Sequence, residues 1–147
     1  MRKEDGPGLI GLLTQLYKGF HRRTTEEMLG MRFKEFMVLG YLRDNPGTSQ
    51  QELGDAMLLD ANTVVLLLNE LESKGFSIRR RDAEDRRRHV VVITDSGRTA
   101  LARAEKAREA IEDEALAGLS ASQRAELRRL LVLALESQAR TLAASGR

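Results

Sequence analysis

The chain has no cysteine and no tryptophan, only two prolines, two histidines and six other aromatic residues in 147. Zero cysteines exclude disulfides, thiol nucleophiles, thiolate metal sites and cysteine redox sensing. Two imidazoles, His21 and His89, are too few for a histidine-rich metal site, so no metal and no cofactor is expected. No apolar run approaches the roughly 18 residues of a membrane span. The opening stretch, Met1 to Pro7, is charged and lacks the apolar centre of a secretory signal. A soluble, cytoplasmic, single-domain protein with its own core, and no membrane partner, is the expectation.

One-sided charge is also missing. The sum of 24 Lys plus Arg against 22 Asp plus Glu is +2, which by itself announces no polyanion partner. Its distribution says more. Between residues 48 and 78 stand one base, Lys74, and five acids, whereas residues 79–88, Arg-Arg-Arg-Asp-Ala-Glu-Asp-Arg-Arg-Arg, hold six arginines and three acids. Charge is concentrated at one place in the chain.

Apolar residues at Leu9, Leu12, Leu13, Leu16, Tyr17 and Phe20 form one stripe of an amphipathic helix, predicted over 8–28. A second helix is predicted over 33–44, ended by Asn45-Pro46-Gly47. Thr48 or Ser49 can cap a short helix over 49–57, and Asp60 the next, whose stripe Val64, Leu67, Leu68 and Leu71 runs to Lys74 and a left-handed Gly75. The period then changes to two. Phe76–Arg81 and Arg88–Ile93 read as strands around a charged turn. A long helix over 95–117 and a last one opened by the capping box Ser120-Ala121-Ser122-Gln123 complete the order.

Two helices joined by a tight turn, the second followed at once by an arginine-rich hairpin, make a winged helix-turn-helix. The fold class is therefore mainly α with a small β-hairpin wing, flanked by helices from both termini. The runs Gln51–Ala56, Leu67–Phe76, Arg79–Arg88 and Ile93-Thr94-Asp95-Ser96-Gly97 carry a further likeness. They resemble the multiple antibiotic resistance regulator (MarR) family, most densely over residues 48–101. The resemblance implies a homodimeric transcriptional regulator, usually a repressor, that binds a pseudo-palindromic double-stranded DNA operator. It divides the single domain into a reading lobe, 33–99, and dimerisation helices, 1–32 and 100–147. Leu9, Leu12, Leu13 and Leu16 at one end and Leu127, Leu130, Leu131 and Leu135 at the other are the stripes a two-fold dimer can bury.

The family's wing arginine corresponds to Arg87. Strand alternation puts Asp85 on the same side, where its carboxylate can hold the guanidinium ready for a minor groove. Arg86, Arg88, Arg79 and Arg81 are expected near phosphates, and Ser49 at the same interface. Where many members carry Thr-Val-Thr-Arg, this chain has Thr63-Val64-Val65-Leu66, so a hydroxyl and an arginine are lost. Asn62, Thr63 and Asn69 remain as hydrogen-bonding candidates, with Val65 or Leu66 placed to meet thymine methyls. Family members are commonly released from DNA by a small aromatic or anionic effector. Tyr17, Phe20, His21, Met37 and Tyr41 are the residues that could line such a pocket, although helical spacing makes them core residues first. The rival reading is a winged-helix protein-interaction module gripping a partner through Leu66. Catalysis has no support in the sequence: there is no glycine-rich phosphate loop and no nucleophile, base and acid in a defensible spacing.

Overall fold

The computed structural model describes residues 6–146. Its first helix, α1 (Leu9–Arg23), buries no residue. The single helix predicted over 8–28 is corrected: Thr24 leaves helical backbone at φ −89°, ψ 104°, and a separate turn, α2 (Glu26–Leu29), follows. The cause is a pair of threonines. The Thr24 hydroxyl donates back to the Phe20 carbonyl at 2.7 Å, while the Thr25 hydroxyl accepts the Met28 N–H at 3.2 Å and starts the new turn. Such side chains compete with the helical ladder. Gly30, at φ 74°, ends α2.

Helix α3 (Phe33–Asp44) supplies the central core residues Val38, Leu39 and Leu42. After it, Ser49 and Glu52 form a reciprocal capping box that opens α4 (Gln50–Met57), each backbone N–H reaching the other side chain at 3.1 Å. Asp60 caps α5 (Ala61–Ser73) by accepting the Thr63 N–H at 2.8 Å. The buried residues of α5 are Val64, Leu67, Leu68 and Leu71, the stripe read from the sequence.

Strands β1 (Ser77–Arg81) and β2 (His89–Ile93) pair antiparallel, with Ser77 opposite Ile93 and Arg81 opposite His89. The hairpin is fastened to α4 as well. Ser49 bridges Val90, and the Val91 N–H donates to the Thr48 carbonyl at 2.9 Å. Thr94 then caps α6 (Asp95–Ala115) by accepting the Gly97 N–H at 3.0 Å. The Ser120–Gln123 capping box opens α7 (Ala121–Ser145).

The chain forms two compact units, one ending at Ile111 and one beginning at Glu112. In the first, Leu39, Leu53, Leu68, Leu71 and Leu101 from four helices are almost completely shielded. In the second, the described side chains of α7 are exposed or half-buried, and Leu130, Leu131, Val132, Leu133 and Leu135 stand open to solvent.

Candidate nucleic-acid interface

Helix α5 turns its apolar stripe inward, so the 3.6-residue period places Asn62, Leu66 and Asn69 on the opposite side. All three are exposed, Leu66 at 63%. Val65 beside them is half-buried, and Leu66 is the outward member of the Val65-Leu66 pair. Thr63 is engaged locally: its hydroxyl donates to Asp60 at 2.9 Å. These two contacts from Thr63 also hold the Asp60 carboxyl below the usual carboxylate range, the backbone N–H having the larger effect.

The wing tip is ordered by one carboxylate. Oδ1 of Asp85 accepts the backbone N–H of Arg87 at 3.1 Å and its Nε at 3.3 Å. Strand alternation, expected to put the two on one side, is not what joins them: both lie in the turn between β1 and β2, and an Asx-type turn makes the contact. Arg87 remains 93% exposed, so its guanidinium is oriented without being covered.

The other arginines differ in what they touch. Arg79, expected near phosphates, folds onto α5: Nε donates to Glu72 at 2.7 Å and Nη2 to Glu72 at 3.0 Å and to Asn69 at 2.6 Å. The hydrogen bond and charge of Arg79 lower the Glu72 carboxyl, and those of Glu72 raise Arg79. Arg79 thus braces the wing against the reading helix and occupies Asn69. Arg81 donates to the Arg86 carbonyl at 2.9 Å, and Arg88 pairs with Glu52 at 3.0 Å and Asp82 at 3.7 Å. Arg80 and Arg86 are exposed, and neither side chain has an ion pair among the described residues. The run Arg79-Arg80-Arg81 places some of its members near phosphates without showing which has a partner on α5; Arg79 has one and Arg80 points outward. Ser49, also expected here, is corrected to a buried cap, 6% exposed and committed to Glu52. Between the wing and the first turn of α4 lies an open depression of about 570 Å³, lined by Gln50, Glu52, Arg87, Arg88 and His89 among others.

Away from the wing, Tyr17 and His21 stack at 5.8 Å, and the Phe33 ring meets both edge-on at 6.5 and 6.2 Å. Phe20 and Tyr41 pack against the core, as Phe33 also does, and Met37 is exposed. Phe33 joins this cluster although it is not among the site residues expected from the sequence. Its place at the start of the helix predicted over 33–44 is legible in the sequence, but its contact with Tyr17 and His21 on α1 is long-range and is not. Of the expected interface leucines, Leu9, Leu12, Leu13, Leu130, Leu131 and Leu135 are exposed, and Leu16 and Leu127 half-buried.

Comparison with known proteins agrees with this arrangement. A family model described as MarR family matches residues 29–88. The chain is 30% identical over 111 residues, 76% of its length and 82% of the relative's, to the transcriptional regulator HosA of Escherichia coli O127:H6. It is 38% identical over 94 residues to a putative transcriptional regulatory protein for the hcr operon of Thauera aromatica. That match takes in 64% of this chain and 57% of the relative, little more than half its length. Among solved structures, a crystal structure of MarR aligns with a TM-score of 0.80 and 26% identity over 96% of this chain and 97% of that one. The transcriptional repressor CouR, bound to a 23-mer DNA duplex, aligns at 0.69 and 28% over 89% of each. With its winged helix-turn-helix in place and a relative at 30% identity over most of its length, the chain belongs to the MarR family of transcriptional regulators.

Proposed function

We propose that this protein is a cytoplasmic, homodimeric repressor that binds a pseudo-palindromic double-stranded DNA operator and is released from it by a small aromatic or anionic effector. Residues 33–99 are its reading lobe. Helices from 1–32 and 100–147 form the dimer interface through the exposed leucines of α1 and α7, each worth about 1.5–3 kcal/mol when fully buried. The observation that carries the reading is the wing: an exposed Arg87 oriented by Asp85, on a hairpin braced to α5. Helix α5 enters the major groove with Asn62 and Leu66 outward, and Arg87 reaches the adjacent minor groove. Arg80 and Arg86 meet phosphates, supplying affinity without sequence information. The Tyr17–His21–Phe33 cluster is the effector site, an aromatic surface with one imidazole and one phenol to meet an anionic oxygen.

The DNA reading is tested by fluorescence anisotropy on duplexes spanning the region upstream of the protein's own coding sequence. Binding weakens steeply as salt rises, and Arg87→Ala weakens it at least tenfold with unchanged circular dichroism. Salt-insensitive binding, or an Arg87→Ala variant that binds like the parent, overturns the wing assignment and favours a protein-interaction module using Leu66.

A further inference from the structure

The turn between α4 and α5 holds a residue that the fold does not need. Leu58 is the C-cap of α4 at φ 55°, ψ 43°, and among the described residues it is the only non-glycine with positive φ. The other three left-handed positions, Gly30, Gly47 and Gly75, are glycines. The backbone there has a clear task. The Leu58 N–H reaches the Asp55 carbonyl at 3.3 Å and the Leu59 N–H the Gly54 carbonyl at 2.9 Å, closing α4 so that Leu59 packs on the core. Glycine satisfies all of this without a Cβ in the left-handed region. The leucine side chain adds nothing inside the protein, because Leu58 is 91% exposed, the most of any large hydrophobic residue described. Strain and exposure of apolar surface are both unfavourable in the free chain, and both fall on one side chain at the entrance to the reading helix.

We infer that Leu58 is a DNA-contacting residue, which packs against the apolar surface of the duplex where the N-terminal end of α5 enters the groove. This rests on the DNA-binding reading above. The N-terminal residues of a reading helix are those that reach base edges, and Leu58 stands two residues ahead of the Asp60 cap. Exposed Asp55 and Asp60 flank it, so the turn repels phosphate, and the contact that Leu58 itself brings is apolar. Thymine methyl groups and deoxyribose are apolar surfaces that a duplex presents to such a side chain.

The test compares Leu58→Gly and Leu58→Asn, both compatible with left-handed backbone, with the parent, on a duplex of the protein's own upstream DNA. Leu58→Gly is expected to raise the thermal midpoint by about 2–4 °C. It is also expected to weaken DNA binding about tenfold across the two protomers, with an unchanged slope of affinity against salt. Leu58→Asn loses affinity similarly. A parent that weakens on uracil-for-thymine DNA while Leu58→Gly does not assigns the contact to a methyl group; a parent indifferent to the replacement, with Leu58→Gly still weak, assigns it to deoxyribose. Leu58→Gly binding as tightly as the parent, or dissociating into monomers on a sizing column, overturns the inference. A parent that binds no DNA fails the broader reading instead, and Arg87→Ala reports on that independently.

Discussion

Both carboxylate oxygens of Glu35 accept from Nζ of Lys74, at 2.9 and 3.0 Å. The Glu35 side chain is fully shielded from solvent and also accepts the Arg32 N–H at 3.1 Å, while Arg32 reaches Glu70 with its guanidinium. Two charge pairs therefore tie the start of α3, beside Phe33, to the last turn of the reading helix. Lys74→Met leaves a buried carboxylate with only Arg32 to answer it and is expected to lower stability by about 2–3 kcal/mol, less than for a fully buried pair because the Lys74 side chain is partly exposed and Arg32 stays. Adding Glu35→Gln removes the stranded charge while keeping an acceptor for Arg32, so the double variant recovers more than half of the loss. Urea unfolding of the three proteins checks both outcomes.

Gly97, one turn into α6, sits where no side chain fits. A Cβ built there would lie 2.1 Å from the Phe76 carbonyl oxygen and 2.9 Å from Cγ1 of Ile93. The obstruction is backbone at the base of the wing and cannot swing aside. Gly97→Ala is expected to cost about 3 kcal/mol, at the upper end for overpacking, and to displace β1 from α6. Gly118→Ala, whose Cβ meets nothing within 4 Å, is the control and leaves the thermal midpoint within a degree or two.

That glycine shows what kind of feature the sequence could disclose. Its place after Ile93-Thr94-Asp95-Ser96 marked it as part of a motif, and the stripe Val64, Leu67, Leu68, Leu71 identified the buried face of α5 because periodicity is a local property. The Asp85–Arg87 pair was also legible, but through proximity, since the turn and not the pleat joins them. What was hidden is long-range or conformational. Arg79 chooses Glu72 and Asn69 because β1 folds back along α5, which no spacing rule encodes. The break at Thr24 falls beyond the last apolar residue of the α1 stripe, Phe20, and is made by side-chain competition that periodicity does not encode. Leu58 carries no turn signature at all, since leucine is not a residue that punctuates a chain.

Acid sensitivity at the head of the reading helix follows from Asp60. Its carboxyl titrates below its ordinary value in the folded protein, so its contribution is complete above the unfolded value of about 3.9 and fades as pH falls through the lower folded one. Asp60→Asn keeps an oxygen that accepts the Thr63 N–H but does not ionise. The thermal midpoint of the parent is therefore expected to fall more steeply than that of Asp60→Asn between about pH 5 and pH 2, and the two to run parallel near neutrality. Parallel curves throughout the acid range would show that Asp60 does not titrate differently on folding.

The wing arginines separate into those held by contacts within the protein and those left outward without an ion pair among the described residues. Arg86 is exposed with no ion pair among the described residues, whereas Arg79 has two bonds to Glu72 and one to Asn69. Each phosphate contact contributes about 0.9 to the slope of log affinity against log salt. Arg86→Met is therefore expected to flatten that slope by about 0.9 per protomer, and Arg79→Met to leave it unchanged. Arg79→Met acts elsewhere: it strands Glu72 and frees Asn69, loosening the wing and changing which base substitutions the protein tolerates. Titrations of Kd against NaCl on the parent duplex and on single-base variants distinguish the two, and a flattened slope for Arg79→Met would return that arginine to the phosphate contacts.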